Sequence, residues 1–187
     1  MKSTQTWQPA TVAAVRDVTP TVREFEIRPT EGATVPWQAG SHLQLQVLVN
    51  GKVQTRSYSL VGLPDGESYR IAVKRMDDGR GGSLAMWRLA VGDRLQISDP
   101  QNHFQLDLSA PHYLIVAGGI GITPLVMMAQ QLQAQCQKSG ATLRMLYGAR
   151  TQEELAFLPL LRAALGDALQ TFVAGRGENM DLSLIHI

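Results

Sequence analysis

Between residues 56 and 60 the chain places a guanidinium, an aromatic ring and two hydroxyls within five positions: Arg56-Ser57-Tyr58-Ser59-Leu60. A β-strand sends alternate side chains to opposite faces, so Arg56, Tyr58 and Leu60 share one face and Ser57 and Ser59 the other. Ring contacts and hydrogen bonds then reach a flat ligand from fixed directions. The same residues also describe a plain strand with an exposed arginine and a packed tyrosine, and spacing leaves both open. A second stretch, Gly79-Arg80-Gly81-Gly82-Ser83, runs into the short helical pattern Leu84 to Leu89. Glycines let backbone N–H groups approach an anion, and a first helical turn adds unpaired donors and the positive end of its dipole, which suits a phosphate. A glycine-rich turn capped by Ser83 is the alternative. In the third stretch, Gly118-Gly119-Ile120-Gly121-Ile122-Thr123-Pro124, an apolar strand turns into a helix, the place where α/β sheets hold a nucleotide pyrophosphate. Its spacing is not G-x-G-x-x-G and no acidic residue stands at the usual ribose position, so a tight connection without ligand stays open.

The elements that must position these stretches fall into two groups. Thr11 to Val18, Phe25 to Arg28, His42 to Val49, Lys52 to Leu60, Tyr69 to Lys74 and Asp93 to Ile97 are strand-like, several with strict alternation. The clearest is His42 to Val49, with Leu43, Leu45, Val47 and Val49 opposite His42, Gln44 and Gln46, followed by the hairpin pair Asn50-Gly51. Six short strands with few helices predict an antiparallel barrel. After Ser109-Ala110-Pro111 the order becomes β-α-β-α-β. Tyr113 to Ala117 has the continuous apolar character of a strand buried on both faces. Thr123 and Pro124 suit the cap and first position of a helix to about Lys138, with Leu125, Ala129, Leu132 and Cys136 on one stripe. Thr142 to Tyr147 and Leu169 to Ala174 are strands, Thr151 with Glu154 has the spacing of a capping box, and Pro159 interrupts or restarts the helix that follows. The fold class is thus a two-domain chain, with a six-stranded antiparallel β-barrel over residues 1–109 and an incomplete α/β nucleotide-binding domain over 110–187.

Composition narrows the function. With 187 residues, 44% hydrophobic and 18% charged, the chain can bury two small cores and has no signature of disorder. A net charge of +1 without a basic run gives no footprint for nucleic acid or anionic membrane. The uncharged stretch Tyr113 to Ala129 is shorter than the ~20 residues of a membrane span and is broken by glycines and Pro124. The N-terminus has no apolar core or cleavage site of the secretory kind, and the single Cys136 excludes a disulfide framework, so a cytoplasmic protein is expected. His42, His103, His112 and His186 lack metal-ligand spacing and no metal site is expected; His103 lies in a loop near the expected ligand edge.

Taken together and in order, Arg56 to Leu60, Ile71-Ala72-Val73-Lys74-Arg75, Gly79 to Ser83, Pro100-Gln101-Asn102-His103-Phe104 and Gly118 to Pro124 resemble the ferredoxin–NADP reductase superfamily. They are closest to its FMN-bearing branch of oxygenase reductases, which includes the phthalate dioxygenase and vanillate demethylase reductase types. The resemblance runs to about Ala174. It implies that Arg56, Ser57, Tyr58 and Ser59 line a flavin, that Ala72, Val73 and Lys74 run alongside, and that Gly81, Gly82 and Ser83 cradle the FMN phosphate. It further implies that Gly118, Gly119, Gly121, Ile122, Thr123 and Pro124 form the nucleotide loop, with Arg150 near the nucleotide. Ser59 and Thr123 fall beside the reacting atoms of flavin and nicotinamide.

The implied reaction is hydride transfer from NAD(P)H to flavin, with the protein supplying position and electrostatics. Complete members of the branch continue through the nucleotide domain into a [2Fe–2S] domain that serves a Rieske-type oxygenase. This chain has no cysteine motif for such a centre. Its tail, Leu182-Ser183-Leu184-Ile185-His186-Ile187, matches what a transposon end used in sequencing libraries encodes in one frame, or is a natural apolar terminus. An FAD-dependent reductase of the ferredoxin–NADP reductase or flavohaemoglobin type, and a flavin-binding module without catalysis, are the alternatives.

Overall fold

Asn50 and Gly51 both take positive φ, 50° and 74°, and fold the chain back on itself between two strands of a hairpin. In the computed structural model, which describes residues 6–180, these strands are β3 (Ser41–Val49) and β4 (Lys52–Ser59), paired antiparallel from His42–Ser59 to Val49–Lys52. The tail from Leu182 to Ile187 lies outside the described residues. Around the hairpin lie β1 (Trp7–Thr19), β2 (Val22–Pro29), β5 (Tyr69–Lys74) and β6 (Arg94–Ser98), in the antiparallel order β4-β3-β6-β1-β2-β5. A two-residue strand, β7 (Gln101–Asn102), also pairs with β3. The ends of the sheet are drawn together by a bridge between Leu60 and Ile71 and by the Val61 N–H donating to the Arg70 carbonyl at 2.8 Å. The sheet therefore curls, barrel-like, so that its two edges meet at this point. The short helix α1 (Gly82–Trp87) packs against β3 and β5.

Alternation puts Leu43, Leu45, Val47 and Val49 inside the barrel, where they join Phe25, Ile27, Tyr69, Ile71, Met86 and Ile97. Each large apolar side chain buried in this way contributes about 1.5–3 kcal/mol relative to exposure.

The second unit is a parallel sheet in the order β10-β9-β8, built from β8 (His112–Gly118), β9 (Thr142–Ala149) and β10 (Leu169–Val173). Its helices are α2 (Leu125–Ser139) and α3 (Leu158–Leu165). The two cores are continuous through packing: Val22, Val61 and Ala72 of the barrel exterior join Ile115, Ile122, Met145 and Tyr147, while Met127 and Met128 of α2 reach the barrel core. The antiparallel barrel followed by an α/β domain is thus the architecture the sequence predicts.

Local differences have physical causes. β8 is not buried on both faces, for Val116 is 41% exposed while Ile115 and Ala117 are buried. Helix α2 buries Val126, Met127, Met128, Ala129 and Leu132, because it lies between barrel and sheet and is covered on two sides; Cys136 is only half-buried. Thr123 is not the cap of α2. The turn from Gly119 to Ile122 runs on into the helix, so Thr123 is itself helical and its hydroxyl donates back to the Ile120 carbonyl at 3.1 Å. The capping box at Thr151 is also not formed. Glu154 is turned away to a cation of the barrel, and Pro159 opens α3.

Candidate functional site at the barrel rim and the interdomain cleft

Gly81 caps α1 in the left-handed region, φ +83°, where a side chain is strained, and a Cβ there would crowd Val49 Cγ1 at 2.9 Å. The next residue, Gly82, lies under Arg56. A Cβ at Gly82 would overlap the guanidinium Nε and press on Cζ and Nη2 at 3.1 Å, so only glycine leaves the cation room on the backbone of this turn. Arg56 is held there by donating through Nη1 to the Thr55 carbonyl at 2.9 Å and through Nη2 to Gln54 Oε1. Two motifs 26 residues apart, Arg56 and Gly82, are thereby brought together. The first N–H groups of α1, at Gly82, Ser83 and Leu84, precede the first i→i−4 bond of the helix, which Ala85 N–H makes to Gly81 at 2.9 Å. Ser83 ties the turn down, its hydroxyl accepting from the Met76 N–H at 3.1 Å.

Tyr58, two residues on from Arg56, packs its ring against the barrel core. Burial pushes its phenol up to about 12, with Arg56 pulling in the opposite direction, so it stays neutral at ordinary pH. Ser57 and Ser59 emerge on the other face and line a smaller recess with Gly40, His42, His103, Phe104 and Pro124. On β5, across the Leu60–Ile71 bridge, the three predicted positions part company. Ala72 is buried under the second domain. Val73 faces the barrel core, and its carbonyl accepts from Trp87 Nε1 at 3.0 Å. Lys74 points into the cleft between the domains.

That cleft encloses about 660 Å³, within the size range of small-molecule and cofactor sites. Lys74, Gly118, Gly119, Gly148, Arg150 and Glu154 are among its lining residues. Lys74 Nζ donates to Glu154 Oε1 at 2.7 Å, with both side chains about four-fifths buried. This hydrogen bond, more than any other contact, holds the Glu154 carboxyl below its usual range. Gly119 has φ +49°, and its carbonyl accepts from the Tyr147 hydroxyl at 3.2 Å, which also lies 3.3 Å from the Ala156 carbonyl. Burial keeps that phenol protonated as a donor. The loop that starts at Gly118 is therefore braced from below by β9 and from the side by the chain before α3.

Of the other predicted loop residues, Ile122 is fully buried, Thr123 is 7% exposed, and Gly121 and Pro124 face an apolar groove with Phe104, Leu106 and Met128. Arg150 is exposed at the cleft edge, its carbonyl accepting from the Gly175 N–H at 2.8 Å. Sequence reasoning missed Glu154 as the partner of Lys74 and Gln54 as the support of Arg56. Gln54 carried a usable signal, since i and i+2 share a strand face. Glu154 lies 80 positions from Lys74 and carried none. Among the described residues no three His, Cys, Asp or Glu side chains gather as a metal cage, and no helix is long and apolar enough to cross a membrane.

The comparisons with known proteins agree with this fold. Residues 9–106 match the oxidoreductase FAD-binding domain family, and residues 115–174 match the oxidoreductase NAD-binding domain family. The heme-dependent oxidative N-demethylase beta subunit of Ectopseudomonas mendocina (strain ymp) is 38% identical over 92% of this chain and 54% of its own length. The vanillate O-demethylase oxidoreductase of Pseudomonas putida is 37% identical over 86% of this chain and 49% of its own. Among solved structures, phthalate dioxygenase reductase, a modular structure for electron transfer from pyridine nucleotides to [2Fe–2S], superposes with a TM-score of 0.75. It is 30% identical over 96% of this chain and 54% of its own. The chain spans about half the length of the curated relatives it matches. With a flavin-binding barrel and a nicotinamide-binding sheet in this order, the chain belongs to the ferredoxin reductase-type oxidoreductases.

Proposed function

We propose that the chain is the flavin- and nicotinamide-binding part of an FMN-dependent reductase that takes hydride from NAD(P)H and passes electrons on to a Rieske-type oxygenase or demethylase. The observation that carries the flavin seat is the Arg56 guanidinium lying on Gly82 at the start of α1. A fixed cation over free backbone N–H groups is a cradle for a phosphate dianion. Here Gly81, Gly82 and Ser83 hold the phosphate end, Tyr58 covers one face of the ring, and Ser57 and Ser59 hydrogen-bond along its edge. Lys74 borders it from β5, while Ala72 beneath the second domain and Val73 on the core side hold β5 in place. Gly118, Gly119, Gly121, Ile122, Thr123 and Pro124 shape the nicotinamide side, with Ser59 and Thr123 at the junction and Arg150 on the nucleotide.

A flavin bound there supplies the hydride acceptor, and its two-electron to one-electron conversion is chemistry that no side chain of the chain provides. The residues hold, orient and keep water from the reacting edge. On this reading residues 1–109 are the flavin domain and 110–187 begin the nucleotide domain. The rest of that domain and a [2Fe–2S] centre belong to a longer parent that works beside its oxygenase. A single cysteine suits the reducing cytoplasm.

A second reading, FAD in place of FMN, is favoured by the description of the matching family model. Incubating the purified protein with an equimolar mixture of FMN and FAD, removing unbound flavin and weighing what is released separates the two. Flavin-dependent oxidation of NADH with ferricyanide as acceptor tests the activity. Reconstitution without retained flavin, or retained flavin without turnover, contradicts the seat or the activity respectively.

A further inference from the structure

The two units meet mainly through apolar side chains. Val22, Val61 and Ala72 on the outside of the barrel pack with Ile115, Ile122 and Tyr147, and Met127 and Met128 of α2 reach the barrel core. Apolar contact is non-directional, so a surface of this kind holds two bodies together without fixing the angle between them. Direction comes from hydrogen bonds. Among the described residues only one hydrogen bond joins 6–109 to 110–180, the 2.7 Å contact from Lys74 Nζ to Glu154 Oε1.

The sequence delivers both partners to the rim of the apolar contact. Alternation on β5 puts Lys74 on the same face as Ala72, which the second unit covers, so the lysine stem emerges where that cover ends. Glu154 closes the short turn Gln152–Glu154, and the next two residues, Leu155 and Ala156, are buried in the same apolar cluster. The Ala156 N–H donates to the Glu154 carbonyl at 2.9 Å, and the Ala156 carbonyl lies 3.3 Å from the Tyr147 hydroxyl that braces Gly119. A continuous path of short polar contacts thus runs from the barrel edge to the loop after β8.

The charged neighbours leave this pair intact. Arg75 is taken by Asp77 at 2.7 Å, while Arg150, which lines the same cleft, acts on the Glu154 carboxylate through its N–H and its charge in support of Lys74. With both side chains about four-fifths buried, water and salt screen the contact little.

We propose that Glu154 is a positioning residue: by holding Lys74 it fixes the angle between the curled antiparallel sheet and the parallel sheet, and with it the approach of nicotinamide to flavin. The first half needs only the two units, and the second rests on the redox reading above. On that reading the flavin sits in the barrel and the nicotinamide on the loop after β8, so neither unit alone sets the gap that the hydride crosses. Reacting atoms must lie about 3–3.5 Å apart, and a misplacement of about 1 Å costs about 100-fold in rate. Glu154 acts on that gap through Lys74 and touches neither reacting group.

The test has two arms. The first uses the full chain without cofactors and with Cys136 replaced by serine. Nitroxides at Val53→Cys on β4 and Leu160→Cys on α3, both exposed positions, report the distance between the units by pulsed electron paramagnetic resonance. The expected result is one narrow distance in the parent and a broadened or displaced one in Glu154→Ala, with the same change in Lys74→Met and no more in the double variant. Glu154→Gln, which keeps the shape, carries the arm if circular dichroism shows Glu154→Ala to be unfolded.

The second arm follows flavin reduction anaerobically in the FMN-reconstituted chain at saturating NADH. Glu154→Ala should slow it about tenfold or more, while FMN affinity and reduction by dithionite stay as in the parent, and Glu154→Asp should recover part of the rate. A pair that only adds stability would shift the urea midpoint and leave distance and rate unchanged. Equal distance distributions in parent and Glu154→Ala overturn the positioning role, and so does an unslowed reduction. A parent that NADH does not reduce counts against the redox reading instead, and the distance arm then decides the positioning role by itself.

Discussion

Replacing Gly82 by alanine separates a local structural role from a ligand-holding one. Gly82 has ordinary helical backbone at the start of α1, so alanine there strains nothing and by helix propensity stabilises by up to about 1 kcal/mol. What it displaces is Arg56, whose Nε occupies the place of the new methyl group. The guanidinium must shift from its place on the turn, and a phosphate held there loses up to one charge-assisted hydrogen bond, about 1.5–3 kcal/mol. At 1.4 kcal/mol per factor of ten, FMN then binds about 10- to 150-fold more weakly. Riboflavin, which has the same ring and no phosphate, should bind Gly82→Ala as it binds the parent.

Fluorescence titration with both flavins, alongside a urea melt, reads all three quantities. Arg56→Ala should show the same selective loss, and the double variant should be no worse than either single one, since both remove one interaction. Unaltered FMN affinity in Gly82→Ala, an equal loss of riboflavin, or additive losses in the double variant would refute the reasoning.

Other substitutions probe the framework. Gly40→Ala forces a side chain into the left-handed region and against the Phe104 carbonyl and Met128, and should lower unfolding free energy by about 2–4 kcal/mol in urea, without a change of slope. Tyr147→Phe removes the donor that braces Gly119 and should cost about 1 kcal/mol in the same melt while raising the KM for NADH. Glu154→Gln tests the Lys74 pair. The Glu154 pKa is depressed in the folded state, so the stabilisation is complete above the unfolded carboxyl value and is lost as pH falls through the folded one. Parent and variant should therefore differ by about 1–2 kcal/mol at pH 7 and converge in acid, as followed by urea melts across pH.

The barrel was legible wherever a period of two was clean. Leu43 to Val49 and the Asn50-Gly51 turn fixed β3, the hairpin and the register that carries Arg56 and Tyr58. Tyr69 to Lys74 was equally plain as a strand, yet alternation alone could not show that Ala72 on its outer face is covered by the second domain. The continuous apolar run at β8 reads as doubly buried because hydropathy does not record which neighbours are present, and Val116 is in fact exposed. Thr123 and Thr151 carry cap chemistry, but the turn preceding α2 and the pull of Lys74 on Glu154 decide where their neighbours go. Of the candidate site, the glycines and Arg56 were visible as types. Their meeting at Gly82 depends on the curl of the sheet, a tertiary fact that no local pattern contains.

The most direct test of the redox assignment is a single anaerobic experiment, the visible spectrum of the FMN-reconstituted chain before and after one equivalent of NADH. Bleaching of the flavin band, slowed or abolished in Gly118→Val, where a side chain is placed in the proposed nucleotide loop, is the predicted result. An oxidised spectrum that persists over hours with flavin bound and NADH in excess would contradict the hydride-transfer assignment and leave the chain a flavin-binding module.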